Sequence, residues 1–116
     1  MAVDFQFLNR ANITVSNVVE AIVTNASGAT TLITGIYAYN SHGSAVTLTV
    51  YIVPNAAGSV GTAATGNTVF VQSLAAGEEY PINDIPILLD GTNDTLQMVA
   101  SVANVVNVFC MGAIQT

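Results

Sequence analysis

Charge is what this sequence has least of. Of its 116 residues one is basic, Arg10, and seven are acidic, so charged residues make up 7% of the chain. A soluble domain ordinarily carries about 25%. From Ala21 to Gly77, and again from Thr95 to Thr116, there is no Asp, Glu, Lys or Arg. Phosphate backbones and anionic lipid surfaces are bound by clustered Lys and Arg. A net charge of −6 with a single arginine therefore argues against nucleic acid and against membrane surfaces as partners. Charge also keeps monomers apart in solution. Here the surface is left to Thr, Ser, Asn, Gly and small apolar groups, and such a surface associates.

Other scarcities narrow the chemistry. Mean hydropathy is +0.60, yet Thr, Asn, Gly or Ser interrupts every apolar run well short of the ~20 residues a helical membrane span needs. Met1–Arg10 contains Asp4 and has no basic stretch leading into an apolar one, so it does not read as a secretory leader, and synthesis in a cytoplasm is expected. Cys110 is the sole cysteine, which excludes an internal disulfide and a cysteine metal cluster. It lies in VNVFCM with no basic neighbour to activate it and reads as a small buried hydrophobe. His42 is the sole histidine, in the turn-like NSHGS, and no G-x-S-x-G elbow accompanies it, so it reads as a solvated turn residue. Glu78 and Glu79 are adjacent and would point to opposite faces of a strand, which is no catalytic pair. Asp90, Asn93 and Asp94 form an oxygen-rich turn without EF-hand spacing. A turn held by Asx hydrogen bonds is the simpler reading, and a cation site completed at a subunit interface is the other. No catalytic residue, cofactor or metal is expected. The sequons at Asn12, Asn25 and Asn93 are the kind that arise by chance in so Asn- and Thr-rich a chain.

What the chain does have is strand chemistry. Val, Ile, Thr, Tyr and Phe dominate while the helix formers Lys, Arg and Glu are nearly absent. In Ala45–Val53, Val46, Leu48, Val50 and Ile52 alternate with Thr47, Thr49 and Tyr51. That is a period of two, with an aliphatic core face and a Thr/Tyr outer face. Thr30–Tyr39 is expected to be its hairpin partner through Asn40–Ser44. Further strands are expected at 12–15 and 18–23, as one broken strand or two, at Thr68–Leu74, and at Tyr80–Leu89, where Pro81 and Pro86 suit an edge or bulged strand. Leu96–Ser101 and Asn104–Ile114 read as a last hairpin. Turn signals every 8–12 residues or so predict one all-β domain over 1–116, an antiparallel β-sandwich of jelly-roll type with little or no helix. Residues 1–11 stand apart as an N-terminal arm. Residues 55–67, NAAGSVGTAATGN, read as a Gly-rich surface loop, either a tolerated insertion or a segment that orders against a neighbouring subunit.

The order TLITGIYAYN, VTLTVYIVPNAAG, NTVFVQSLAAGEEYPI, PILLDGTNDTLQMVAS and VVNVFCMGAI resembles a group of small β-sandwich virion proteins of tailed bacteriophages: head-decoration or cement, neck and tail accessory proteins. The resemblance runs from about Ile13 to Ile114, and its motifs are strand faces and turns. It implies a non-enzymatic subunit of the virion, assembled in the host cytoplasm. Such a subunit would associate with itself, as a trimer for example, and with the major capsid protein or other virion proteins. The alternatives are a neck or tail component and a receptor- or carbohydrate-binding sandwich. The residues singled out for an interface are Phe5, Phe7 and Arg10 on the N-terminal segment and Tyr37, Tyr39 and Tyr51, whose rings are apolar with a polar tip. The three tyrosines are expected to share one face of the 30–39 and 45–53 hairpin.

Overall fold

The structure, a computed structural model, describes residues 2–11, 13–83 and 86–116. The described residues form nine strands: β1 (Val3–Phe7), β2 (Glu20–Thr24), β3 (Thr30–Asn40), β4 (Val46–Val53), β5 (Thr68–Leu74), β6 (Glu79–Ile82), β7 (Ile87–Leu89), β8 (Thr95–Ala100) and β9 (Val106–Gln115). A single 3-10 turn, Thr65–Asn67, precedes β5, and the described residues contain no α-helix. One sheet has the order β1-β9-β3, with β6 and β7 in tandem along the far side of β3. The other has the order β2-β8-β4-β5. All pairings are antiparallel.

The pairing is nested. β1 meets β9, β2 meets β8, β3 meets β6 and β7, and β4 meets β5. The chain is thus one long hairpin with its tip between Val53 and Thr68. It is rolled so that β9 also lies on β3 and β8 also lies on β4. With β6 and β7 counted as one interrupted strand, this is an eight-stranded jelly roll. The sequence expectation of an antiparallel sandwich holds.

The inner faces close on one core. Val46, Leu48 and Val50 are buried with Ile33, Ile36, Leu74, Leu89, Leu96, Met98, Val106, Val108 and Cys110, and Ile52 packs against them. The alternation in β4 therefore placed its core face correctly, with Thr47 exposed and Thr49 half-buried on the other side. The core rests on burial of branched aliphatic side chains, each of which stabilises by about 1.5–3 kcal/mol.

Two expected hairpins do not form. β3 and β4 lie in different sheets, and so do β8 and β9. The connection 40–45 is an arch between sheets, built around the buried Asn40. The Asn40 amide donates to the carbonyls of Ser44 (3.0 Å), Leu74 (3.1 Å) and Ala75 (3.1 Å), and its side-chain oxygen accepts from the His42 N–H (2.9 Å). At the other crossing, Ser101 N–H donates to Thr47 and Asn104 N–H to Val15, so the turn is tied to outside segments instead of closing on itself. A period of two reveals which way a strand faces, not which strand lies beside it, and a short polar loop can bridge two sheets as readily as two neighbours.

The segment 13–15 runs beside the start of β9. Val15 exchanges hydrogen bonds with Val106 and Asn104, Val108 N–H donates to Ile13, and Thr14 bridges to Asn107. Asn12, expected in the same strand, lies outside the described residues. Asp84 and Ile85, in the expected 80–89 strand, also lie outside them.

Candidate interaction surface

The outward face of the first sheet is apolar from one side to the other. Val108 and Cys110 of β9 point into the core, so their neighbours Phe109 and Met111 point out. Directly opposed residues of an antiparallel pair share a face. The register then gives rows. Phe5 of β1, Ala113 of β9, Leu32 of β3 and Leu88 of β7 lie side by side. Phe7, Met111 and Gly35 form the next row, and Phe109, Tyr37 and Pro81 the third. Several of these side chains are strongly exposed: Phe5 83%, Leu88 56%, Val3 51%, Phe7 45% and Met111 38%. Isolated exposed apolar residues are ordinary, but a contiguous patch marks an interaction site.

A bulge shapes this face. Ile33 pairs with Gly112 and Gly35 with Met111, leaving Thr34 as the extra residue. The bulge resets the alternation of β3, so Ile33 and Ile36 both reach the core although they are three apart. It also brings the Leu32 carbonyl onto Gly112, where a Cβ would collide with backbone. A groove of about 370 Å³ opens here, lined by Phe5, Gln6, Phe7, Arg10, Thr34, Met111 and Gly112. A second, of about 220 Å³, lies on the other side of Phe7 and Arg10 against Asn9, Ile13 and Phe109. The Arg10 guanidinium sits 5.8 Å from the centre of the Phe7 ring, within cation–π range, and Phe7 packs tilted on Phe109 at 6.1 Å. Among the described residues no carboxylate is in ion-pair range of Arg10.

β1 enters the sheet as an edge strand, and all five of its residues are exposed. The segment that follows it is pinned by Asn9, whose buried side chain imitates a strand residue. Its amide donates to the Val108 carbonyl (2.6 Å) and its oxygen accepts from the Cys110 N–H (2.9 Å).

The six residues singled out from sequence do not form one group. Phe5, Phe7 and Arg10 come together, and Tyr37 and Tyr39 lie on the same outward face further along β3. Glu79 stands directly across from Tyr39. A hydrogen bond to the Glu79 carboxylate, reinforced by partial burial and by that negative charge, raises the Tyr37 phenol above its ordinary value. Tyr51 is the correction: it lies on β4 in the other sheet, opposite Gln97 and Thr68. Because β3 and β4 are not a hairpin, Tyr51 cannot share a face with Tyr37 and Tyr39. Sequence reasoning missed Phe109, Met111, Leu32 and Leu88. The signal was present in VNVFCM, where Phe109 and Met111 alternate with Val108 and Cys110, and apolar residues on both faces of one strand imply a covered outer face.

The second sheet is different outside. Thr47, Thr49 and Ser73 line its exposed part, with Val71 and Val99 among them. The 54–67 loop folds over the remainder. Gln97, on the outward face, is only 4% exposed because its amide donates to the Gly61 carbonyl (2.9 Å) and to the Thr95 hydroxyl (2.9 Å). Asn93 donates to the Gly58 carbonyl (2.8 Å) from the neighbouring turn.

The groups with chemical potential are engaged structurally. Both Asp94 carboxylate oxygens accept from nearby N–H groups. Oδ1 accepts from the Asn55 backbone (2.9 Å) and side chain (3.0 Å), and Oδ2 from the Gly91 backbone (2.8 Å). Chiefly through the Asn55 backbone bond, these hold the carboxyl below the usual carboxylate value. Asn25 is wholly buried; its amide donates to Ala29 and Gly91 and its oxygen accepts from Thr31, so this sequon offers no accessible acceptor. Cys110 is buried and burial pushes its thiol up to about 12. His42 is half-buried in the arch. Among the described residues no three His, Cys, Asp or Glu side chains gather as a metal site.

No family model matches the chain, and no curated protein matches it in sequence. Among solved structures, a subunit of Bacillus endospore appendages, which form disulfide-linked pili, is 18% identical with a TM-score of 0.49, over 99% of this chain and 87% of that one. A chain of the infectious bursal disease virus particle is 12% identical with a TM-score of 0.42, over 97% of this chain and 30% of that one. Its counterpart in the Gx strain is 15% identical with a TM-score of 0.41, over 97% and 31%. This chain therefore spans less than a third of those viral chains. The similar structures are of pilus and viral-particle proteins.

Proposed function

We propose that the chain is a non-enzymatic structural protein that associates with itself and docks on a larger protein surface, as a capsid decoration or cement subunit of a bacteriophage virion. The observation that carries this reading is the outward face of the first sheet, where Phe5, Phe7, Met111 and Leu88 stand exposed on strands with almost no charge. Left in water, such a face costs about 25 cal/mol for each Å² of apolar surface. A partner that covers it recovers that free energy, and the chain has too little charge to keep partners away. The jelly-roll topology suits the role because its sheets offer broad, stiff faces, although the same fold serves other functions.

Two measurements test the reading. Light scattering on the purified protein should give an oligomer, and mass spectrometry of particles from its native source should find the chain in stoichiometric amounts. A protein that stays monomeric at its highest soluble concentration and is absent from particles would overturn the reading in favour of a binding module. Copy number per particle separates a decoration subunit, present in many copies over the head, from a neck or tail component present in a few.

A further inference from the structure

A sheet edge is a row of unpaired N–H and C=O groups, and natural proteins blunt it with bulges, prolines or charge. Three of the four edges here are blunted. β2 has a bulge between Ala21 and Val23 and begins at Glu20. β5 is out of register with β4 between Phe70 and Thr68, and the Gln72 side chain caps the Ser73 carbonyl on the same strand (2.9 Å). The β6–β7 edge contains Pro81 and is split into two short strands. The β1 edge has neither bulge nor proline, and Asp4 is its one charge: Val3 to Phe7 pair with β9 in unbroken register.

The pairing also shows which groups β1 leaves open. Ala2 and Thr116 exchange both backbone hydrogen bonds, and Leu8 N–H donates to Cys110. In an antiparallel pair, bonded and non-bonded residues alternate. The even residues of β1 therefore face β9, and Val3, Phe5 and Phe7 turn their N–H and C=O groups to the open side. These are the same residues whose apolar side chains stand exposed.

We infer that β1 pairs antiparallel with β1 of a second copy of this chain, across a two-fold axis through Phe5. This deepens the proposed function and rests on its self-association. In that register Val3 faces Phe7 of the partner and Phe5 faces its own counterpart, so all three open residues of each copy find a bonded mate. Asp4 then faces Gln6, an amide able to donate to the carboxylate. Moving the two-fold axis by one residue either way, a slide of two residues between the strands, is worse. One slide sets Asp4 against Asp4, like charges directly opposed. The other pushes Asp4 against Leu8, where the chain has already left the strand. The favoured register joins the first sheets of two copies into one continuous sheet. Its outward face extends the Phe5, Phe7 and Met111 rows into a doubled apolar band.

Single substitutions test this on the full chain. Phe5→Pro removes only an N–H that points away from β9, and Phe5→Lys adds a gatekeeping charge. Both should convert the oligomer toward monomer or halve its mass by light scattering, with an unchanged circular dichroism spectrum. Phe5→Cys should give a disulfide-linked dimer under mild oxidation, because bonded pairs place Cα atoms about 5.5 Å apart, within disulfide reach. Val3→Cys should not cross-link, since its counterpart lies four residues along the partner strand. If the wild type self-associates but Phe5→Pro and Phe5→Lys leave its mass unchanged, the β1 pairing is overturned while the assembly reading stands. Val3→Cys cross-linking as fast as Phe5→Cys would likewise overturn it. A wild type that is monomeric and absent from particles would overturn both.

Discussion

The side-chain amide of Asn40 donates to the carbonyl of Leu74, thirty-four positions further along the chain, at 3.1 Å. That bond and its companions to Ser44 and Ala75 join the arch that carries the chain from β3 to β4 with the turn that carries it from β5 to β6. Asn40 N–H and C=O meet Glu78 and Gly77 of the same turn. Asn40→Ala should leave these buried carbonyls unpaired and cost about 2–3 kcal/mol, read as a lower denaturant midpoint. Asn40→Asp should cost more, because it places an acceptor against acceptors. A loss near zero for either would mean that water replaces the amide and that the arch does not depend on it.

Leu48→Ala should cost about 2–5 kcal/mol, because Leu48 is one of the largest fully buried side chains in the core. Thr47→Ala, one position away on the exposed face, should change stability by less than about 0.5 kcal/mol. Equal losses at the two positions would contradict the facing of β4.

These two sites mark what was legible in the sequence. Leu48 was readable because the Val46–Ile52 alternation is local, and local alternation states which side is buried. The extent of β5 was readable too, since Ala75-Ala76-Gly77 supplies its stop and Gly77 adopts a positive φ of 72°. The neighbours of β3 were not readable. They depend on Asn40 reaching residues over thirty positions away, and NSHGS has the composition of a tight loop whichever sheets it connects. The apolar outer face was half legible. Phe5 and Phe7 stand out in the sequence, but their union with Met111 and Leu88 depends on the β1–β9–β3 register. Tyr51 was misplaced for the same reason as the hairpin that was meant to carry it.

Cys110 should be inert in the folded protein. Its thiol is buried and pushed up to about 12, so the reactive thiolate is absent at pH 8. A thiol reagent such as dithionitrobenzoate should label it only at the rate of unfolding, and fully once denaturant is added. Rapid labelling of the native protein would show that β9 opens locally beneath Asn9.

Asp94 should make the fold acid-sensitive. Its folded carboxyl lies below the ordinary value of 3.8 because the Asn55 backbone N–H, with the Gly91 N–H and the Asn55 amide, favours the charged form. A depressed folded value means the unfolded chain takes up the proton first. The stabilisation is therefore complete above the unfolded value and is lost as pH falls through it and then through the folded one. Asp94→Asn should be less stable than wild type at pH 7, by about 1 kcal/mol. The gap should narrow as pH falls below about 4, where the unfolded wild-type carboxylate takes up its proton first and the folded one follows at lower pH. Thermal melts of both proteins at neutral and acid pH check this, and a gap that stays constant would remove Asp94 as the source.

Gly112 is required by the bulge at Thr34. β3 and β9 fall out of step between Ile33 and Gly35, and the slack draws the Leu32 carbonyl over Gly112. Backbone crowds the space a Cβ would need, and backbone cannot rotate aside as a flexible side chain can. Gly112→Ala should therefore force β3 and β9 apart at the centre of the first sheet and cost about 3 kcal/mol or more. Gly43, in the exposed part of the arch, has nothing within 4 Å of the same position, so Gly43→Ala serves as the matched control and should be close to neutral. Denaturant unfolding of the two variants checks the contrast. The Gly112 loss should also weaken self-association, since the displaced strand carries Met111 of the apolar face and pairs with β1. A Gly112→Ala protein as stable as wild type would show that the bulge relaxes without it, and with it would go the physical reason for the uneven spacing of Ile33 and Ile36.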